Sequence, residues 1–336
     1  MATINGQTFT RFDSLDDIVS DRQNISAGLW SGGAGTLSSL FTSSVQTSST
    51  GQYYINAYNV ATSSLTTTPE VQFAIAYGNK AGSGSLVLNE QYPTRAVYSQ
   101  YKNVLLTPDD DYFTIDDKNK SHILVMNFNR ARIKQKLDPG NWELRIRGSN
   151  ANIYKLIDNS SVVTTDTIGN SGRVYNIVSG TIASGLAANP EVFGLAYPDV
   201  GILIFDPDKI NVSASVAANV SASNTNNANH DKFLTAISGA MSAGSGFIAR
   251  NEEEVASTHY FVRVKNQQFN FSNNPTFVTG TLGDFYHQSM YKNPTVYATT
   301  VGLYNDNMEL LAVAKMSQPL KKTFNRENLI RIKLDY

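Results

Sequence analysis

The chain has 336 residues, 41% of them hydrophobic and 16% charged, with a net charge of −1 at pH 7 and no cysteine. That length predicts two domains, and the near-neutral balance argues against a protein that wraps nucleic acid through phosphate contacts. Lack of cysteine excludes disulfides, thiolate nucleophiles and Cys-ligated zinc or iron–sulfur sites, and a surface rich in Ser, Thr, Asn and Gln but poor in charge is expected to be covered by neighbours.

In chain order, the polar opening Met1–Gln7 lacks the basic and apolar regions of a signal peptide. No stretch approaches the ~18 consecutive apolar residues of a membrane span, so assembly in a cytoplasm is expected. "DSLDDIVSDR", Asp13 to Arg22, predicts a short helix: Ser14 and Asp17 have capping spacing, and Leu15, Ile18 and Val19 share a face. "GLWSGGAGTLSSLFTSS", Gly28 to Ser44, predicts an irregular arm that docks Trp30, Leu37, Leu40 and Phe41 onto another surface.

From Gln52 the pattern turns to strands. "QYYINAYNV", "EVQFAIAYG", "HILVMNFN", "NWELRIRG", "RVYNIV", "GLAY" and "GILIF" are rich in β-branched and aromatic residues. Asp138-Pro139-Gly140 marks a turn, since Pro presets φ and Gly supplies the left-handed position. The run from Asn211 to His230 repeats "NVSAS" and is read as a low-complexity loop, with a poor helix as the other reading. "HDKFLTAISGAMSAGSG" allows a short helix ended by its glycines. Strands resume with "HYFVRVKNQQFNFS", "TVYATTVGLYN", "ELLAVAKM" and "NLIRIKLDY". In the hairpin around Asn305-Asp306-Asn307 both faces are fairly apolar, which predicts a hairpin sandwiched on both sides and completed by the final strand.

The expected fold class is mainly β: two antiparallel β-sandwich-like domains with an irregular N-terminal arm and a few short helices. Residues 1–50 are read as the arm, 51–205 as a first β domain, 206–250 as a Ser/Asn-rich linker with a short helix, and 251–336 as a C-terminal β module able to pair with strands of 170–205.

The residues that could carry chemistry do not converge in sequence. His122, His230, His259 and His287 show no HExxH or HxH spacing. Asp109, Asp110, Asp111, Asp116 and Asp117 lack the alternating ligands, central Gly and terminal Glu of a calcium loop and are read as a solvated acidic loop between strands. "GNKAGSGS", Gly78 to Ser85, lacks the ending of a phosphate loop and reads as a turn. Arg130, Arg132, Lys134 and Lys136 alternate and would form one basic face on a strand, suited to salt bridges within or between subunits.

The tail of the chain, "GLYN", a polar tip, "ELLAVAK", the crossover "SQPLKK" and the closing strand "LIRIKLDY", resembles the terminal β module of baseplate wedge proteins of contractile-tailed phages. "YFVRVKNQQFNFSNNPTF" resembles the segment that precedes this module. "GLWSGGAGTLSSLFTSS", "GQYYINAYN", "EVQFAIAYG" and "QKLDPGNWEL" are similar to virion structural proteins of marine contractile-tailed phages. The Ser/Asn-rich segment after Asn211 departs from this pattern.

The resemblance implies a non-enzymatic virion subunit of a tail, a homo-oligomer or present in several copies in a symmetric ring, with other tail and baseplate proteins as partners. It implies no cofactor, metal, nucleic acid or membrane. Trp30, Leu40, Phe41, Arg130, Arg132, Tyr304 and Tyr336 are the interface candidates, the large aromatics because a few buried anchors dominate binding energy. Neck, tube-cap and fibre-joining roles, or host-glycan binding through Tyr53 and Tyr54, are the alternatives.

Overall fold

The computed structural model describes residues 2–4, 7–13, 15–43, 54–84, 93–148, 151–213, 229–280 and 283–336. The principal strands are β1 (Ile18–Gly28), β2 (Tyr54–Tyr58), β3 (Val71–Asn79), β4 (His122–Phe128), β5 (Leu144–Arg147), β6 (Ile153–Asp158), β7 (Gly172–Thr181), β8 (Val192–Tyr197), β9 (Ile202–Phe205), β10 (Arg250–Val264), β11 (Val296–Tyr304), β12 (Leu310–Lys322) and β13 (Asn328–Asp335). The longer helices are α1 (Pro93–Leu105) and α2 (Asn229–Ser242). The fold is mainly β, and no helix among the described residues is long and apolar enough to cross a membrane. Two compact units divide the chain: a larger one, residues 24–253, and a smaller one made of residues 1–23 and 254–336.

The larger unit is organised by one antiparallel sheet in the order β5-β6-β7-β8-β9-β4-β3-β2, with two short strands beside β7. Its central strands are buried on both faces, which is why "ILVM" and "ILIF" read as continuous apolar runs. Alternation then sends neighbours to different cores. Leu124, Met126, Leu203 and Phe205 join one core with Trp30, Phe73 and Phe233. Ile123, Val125, Ile202 and Ile204 join a second with Tyr98 and Leu105 of α1. Helix α2 packs on β5 at one end of the strand order and on β3 and β2 at the other, so the sheet curls around it. Closeness of strands also has a sequence cause: a Cβ on Gly194 would lie 1.9 Å from the Ile204 carbonyl oxygen.

Several expectations give way here. The segment 206–250 is not a linker, because α2 buries Phe233, Leu234 and Ile237 at the centre of the larger unit. The stretch 214–228 lies outside the described residues. The helix expected at Asp13–Arg22 is a turn followed by β1. Asp13 Oδ1 accepts the Leu15 N–H and Asp17 Oδ2 the Asp13 N–H, the local side-chain bonding by which Asp competes with a helix. Ser14 lies outside the described residues. Helix α1 had no counterpart in the sequence reading. The arm beyond Gly28 is structured within the larger unit: Leu37 pairs with Phe247, and the Gly35 carbonyl accepts the Ala249 N–H.

In the smaller unit, Ser257–Val264 of β10 pairs antiparallel with β13, from Ser257↔Asp335 to Val264↔Asn328. On the other side the Phe261 N–H donates to the Asp17 carbonyl at 2.8 Å. The final strand therefore completes β10 and not the hairpin, nor does the C-terminal module pair with residues 170–205. The hairpin β11–β12 is a sheet of two strands. Phe271, Phe277, Phe285 and Tyr291 form a chain of edge-on ring contacts with centroids 5.2 to 6.4 Å apart.

Candidate docking surface

The smaller unit has a β framework with little core. Its buried hydrophobic residues, among those described, are Phe277, Leu303 and Ile332. Its exposed ones include Val19, Phe271, Tyr286, Tyr291, Tyr297, Tyr304, Phe324 and Leu329. The hairpin is the extreme case: Leu310, Leu311 and Val313 are 52%, 67% and 57% exposed, so apolar groups project from both faces of β12. The expectation of a hairpin sandwiched on both sides is overturned within this chain. Concentrated exposed apolar surface of this kind marks an interaction surface.

Local polar chemistry nevertheless fixes the hairpin. The Asn305 N–H donates to the Glu309 carbonyl, Asn305 Oδ1 accepts the Glu309 N–H at 2.7 Å, and Met308 takes φ 65° to close the tip. At the base, the buried Lys322 Nζ donates to the Asn266 and Thr323 carbonyls and to Asn270 Oδ1. Beside the tip, Tyr304 lies over Gly302, where an added Cβ would meet its ring at 2.9 Å and Leu310 Cδ1 at 3.2 Å. The result is a shaped, apolar projection held at both ends.

The residues singled out from sequence are scattered. Trp30 is not a docking anchor. Its ring is buried against Phe73, Phe128 and Phe247, and its Nε1 donates to the Phe247 carbonyl at 3.0 Å. Leu40 is partly buried against the same core, and Phe41 forms a bridge to Tyr58 at the sheet edge with its ring half exposed. The basic run makes no shared strand face, because Arg130–Ile133 is one helical turn capped by Asn129. Arg130 donates to the Gln135 carbonyl, while Arg132 pairs with Glu70, Lys134 with Glu253 and Lys136 with Glu252. These are intramolecular salt bridges. Tyr304 and Tyr336 are exposed in the smaller unit, with the Tyr336 hydroxyl 2.8 Å from Thr258 Oγ1. Tyr54 is exposed on edge strand β2, and Tyr53 lies outside the described residues.

The polar clusters have structural roles. In the acidic loop, Asp111 pairs with Lys102 and Lys80, and the hydrogen bond from Lys102 holds its carboxyl below the usual range. Asp116 and Asp117, with φ 53° and 56°, form the two-residue turn of a hairpin between Phe113–Ile115 and Lys118–Lys120. Ligand atoms of His122, Asp206 and Asp208 lie within 4.8 Å of one another. Lys120 Nζ already sits 2.5 Å from Asp206 Oδ2, and Asp206 Oδ1 accepts the Asp208 N–H at the start of the helix Pro207–Ser213. Asp206 is thus already paired with an ammonium, and His122 Nε2 lies 3.1 Å from Asp208 Oδ2. Nearby, the buried Asn229 amide has no hydrogen-bond partner among the described residues, and burial pushes the Tyr77 phenol up to about 12.

Fold and surface together define a β-rich protein whose larger unit owns its core and whose smaller unit leaves apolar surface uncovered. Comparison of the chain with known protein families, with curated proteins and with solved structures gives no match.

Proposed function

We propose that the protein is a non-enzymatic structural subunit of a contractile phage tail, a component of the baseplate wedge, present in several copies beside other tail proteins. The observation that carries this reading is the uncovered smaller unit, with Leu310, Leu311 and Val313 exposed on a hairpin held at both ends. A two-stranded hairpin is marginal alone in water, so its apolar faces are understood as surface reserved for assembled neighbours. The strand, tip and crossover pattern that resembles the wedge module covers this same hairpin and β13, which ties the resemblance to the surface. The larger unit serves as the rigid body, and the low charge of the chain suits a subunit hemmed in by others.

The test is localisation. Antibody raised against the purified protein is expected to decorate the end of the tail in purified particles from cells carrying the gene, by immunogold electron microscopy. Absence of the protein from purified particles, judged by mass spectrometry, overturns the reading.

A further inference from the structure

Building on that structural role, we infer that the edge of β11 away from β12, unpaired over Tyr297–Leu303 among the described residues, pairs antiparallel with β11 of a second copy of this chain, about a two-fold axis at Thr300. Exposed edges are normally blunted by charge, proline or shortness, and the longer strands of the smaller unit differ in this respect. β12 carries Lys315, Pro319, Lys321 and Lys322, β13 carries Arg331, Lys333 and Asp335, and β1 carries Asp21 and Arg22. β11, "VYATTVGLY", has neither a charge nor a proline along its nine residues. The register shifts in the hairpin, where Ala298↔Leu320 is followed by Thr300↔Lys315, so the extra residues of the irregularity lie on β12 while β11 runs on as one strand.

The sequence of β11 is compatible with its own reverse. With Thr300 on the axis, Thr299 faces Val301, Ala298 faces Gly302 and Tyr297 faces Leu303, so no like charges meet and β-branched and aromatic residues are set across from apolar ones. A self-pair along β12 would instead bring lysines together and lose a backbone donor at Pro319. Charge therefore selects the β11 edge and an uncharged antiparallel partner, and the second copy supplies that partner. The pairing turns a two-stranded sheet into one of four strands, which passes the size at which a sheet becomes stable. It also places the exposed Tyr297 and Tyr304 beside new neighbours.

Sedimentation velocity of the purified full chain over a concentration series tests this without any other virion protein. A concentration-dependent dimer is expected. Thr300→Lys, which sets two ammonium groups across from each other, weakens it about fivefold. Ser317→Lys, on exposed β12, leaves it unchanged. The chain has no cysteine, so Thr300→Cys is expected to give a disulfide-linked dimer under mild oxidation, because directly opposed Cα atoms lie within disulfide reach, and Ser317→Cys is not. A monomer throughout the series, or equal effects at positions 300 and 317, overturns the pairing. A monomer that is still found in purified particles sinks the pairing alone, whereas a dimer absent from particles sinks the tail role and keeps the pairing.

Discussion

His230 shows how a single burial governs a residue. It begins α2, is buried, and loss of solvation pushes its imidazole down from 6.5 to about 4. In the unfolded chain it takes up a proton near pH 6.5, while in the fold it stays neutral to about pH 4. The larger unit therefore keeps its stability above the ordinary histidine value and loses it as pH falls through that window. His230→Gln is expected to flatten this part of the profile, read as the denaturant midpoint at neutral and at acid pH. Gly194 makes a steric counterpart: a side chain there drives into the Ile204 carbonyl. Gly194→Ala is expected to cost about 3 kcal/mol by thermal melting, at the upper end of overpacking effects. Neither residue was identifiable in the sequence as critical, because one is a histidine without a motif and the other a glycine among strands. Their importance comes from what lies across the sheet.

At the scale of elements, the strands were the most legible part. In the strand read at "NWELRIRG" Trp142, Leu144 and Ile146 are buried, with Glu143 buried between them, and Gly140 takes the left-handed φ of 75° expected in the Asp-Pro-Gly turn. The helix at "HDKFLTAISGAMS" was legible too, ending before Gly244 at φ 80°. Misreadings occurred where polar side chains changed the backbone or where partners were distant. Asp13 and Asp17 replaced a helix with a turn, and Asn129 capped one helical turn in place of a basic strand. The hairpin's strands and tip were readable, but not that β13 pairs with β10. For this element the exposed positions separate stability from assembly. Leu311→Ser with Val313→Ser is expected to shift stability by no more than about 0.5 kcal/mol, the usual range for exposed sites. The same pair is expected to abolish incorporation into particles, measured by the protein content of particles purified after complementation.

For the whole molecule, the unequal division of apolar burial predicts unequal stability. The larger unit contains both hydrophobic cores, while the smaller holds Phe277, Leu303 and Ile332 as its buried apolar residues among those described. Local opening follows buried contacts. Hydrogen exchange of the purified chain, at a dilution where it is monomeric, is therefore expected to be slow in β4 and β9 and fast in β11 and β12, with the hairpin becoming protected in assembled particles. Equal protection of hairpin and central strands in the free chain would contradict the uncovered-surface reading. In the proposed tail role such a unit would take its final order from its neighbours, and ordering on contact would help fix the sequence of assembly.

By itself the sequence determined the β-rich character, the Asp-Pro-Gly turn and the hairpin, because these depend on alternation and on local backbone chemistry within a few residues. Only the tertiary structure decided that Trp30 belongs to the core, that α2 fills the curl of the sheet, that β13 completes β10, and that the hairpin stands uncovered. These facts depend on which distant segment comes to lie against each apolar face, and an apolar face looks the same in sequence whether its own chain covers it or not.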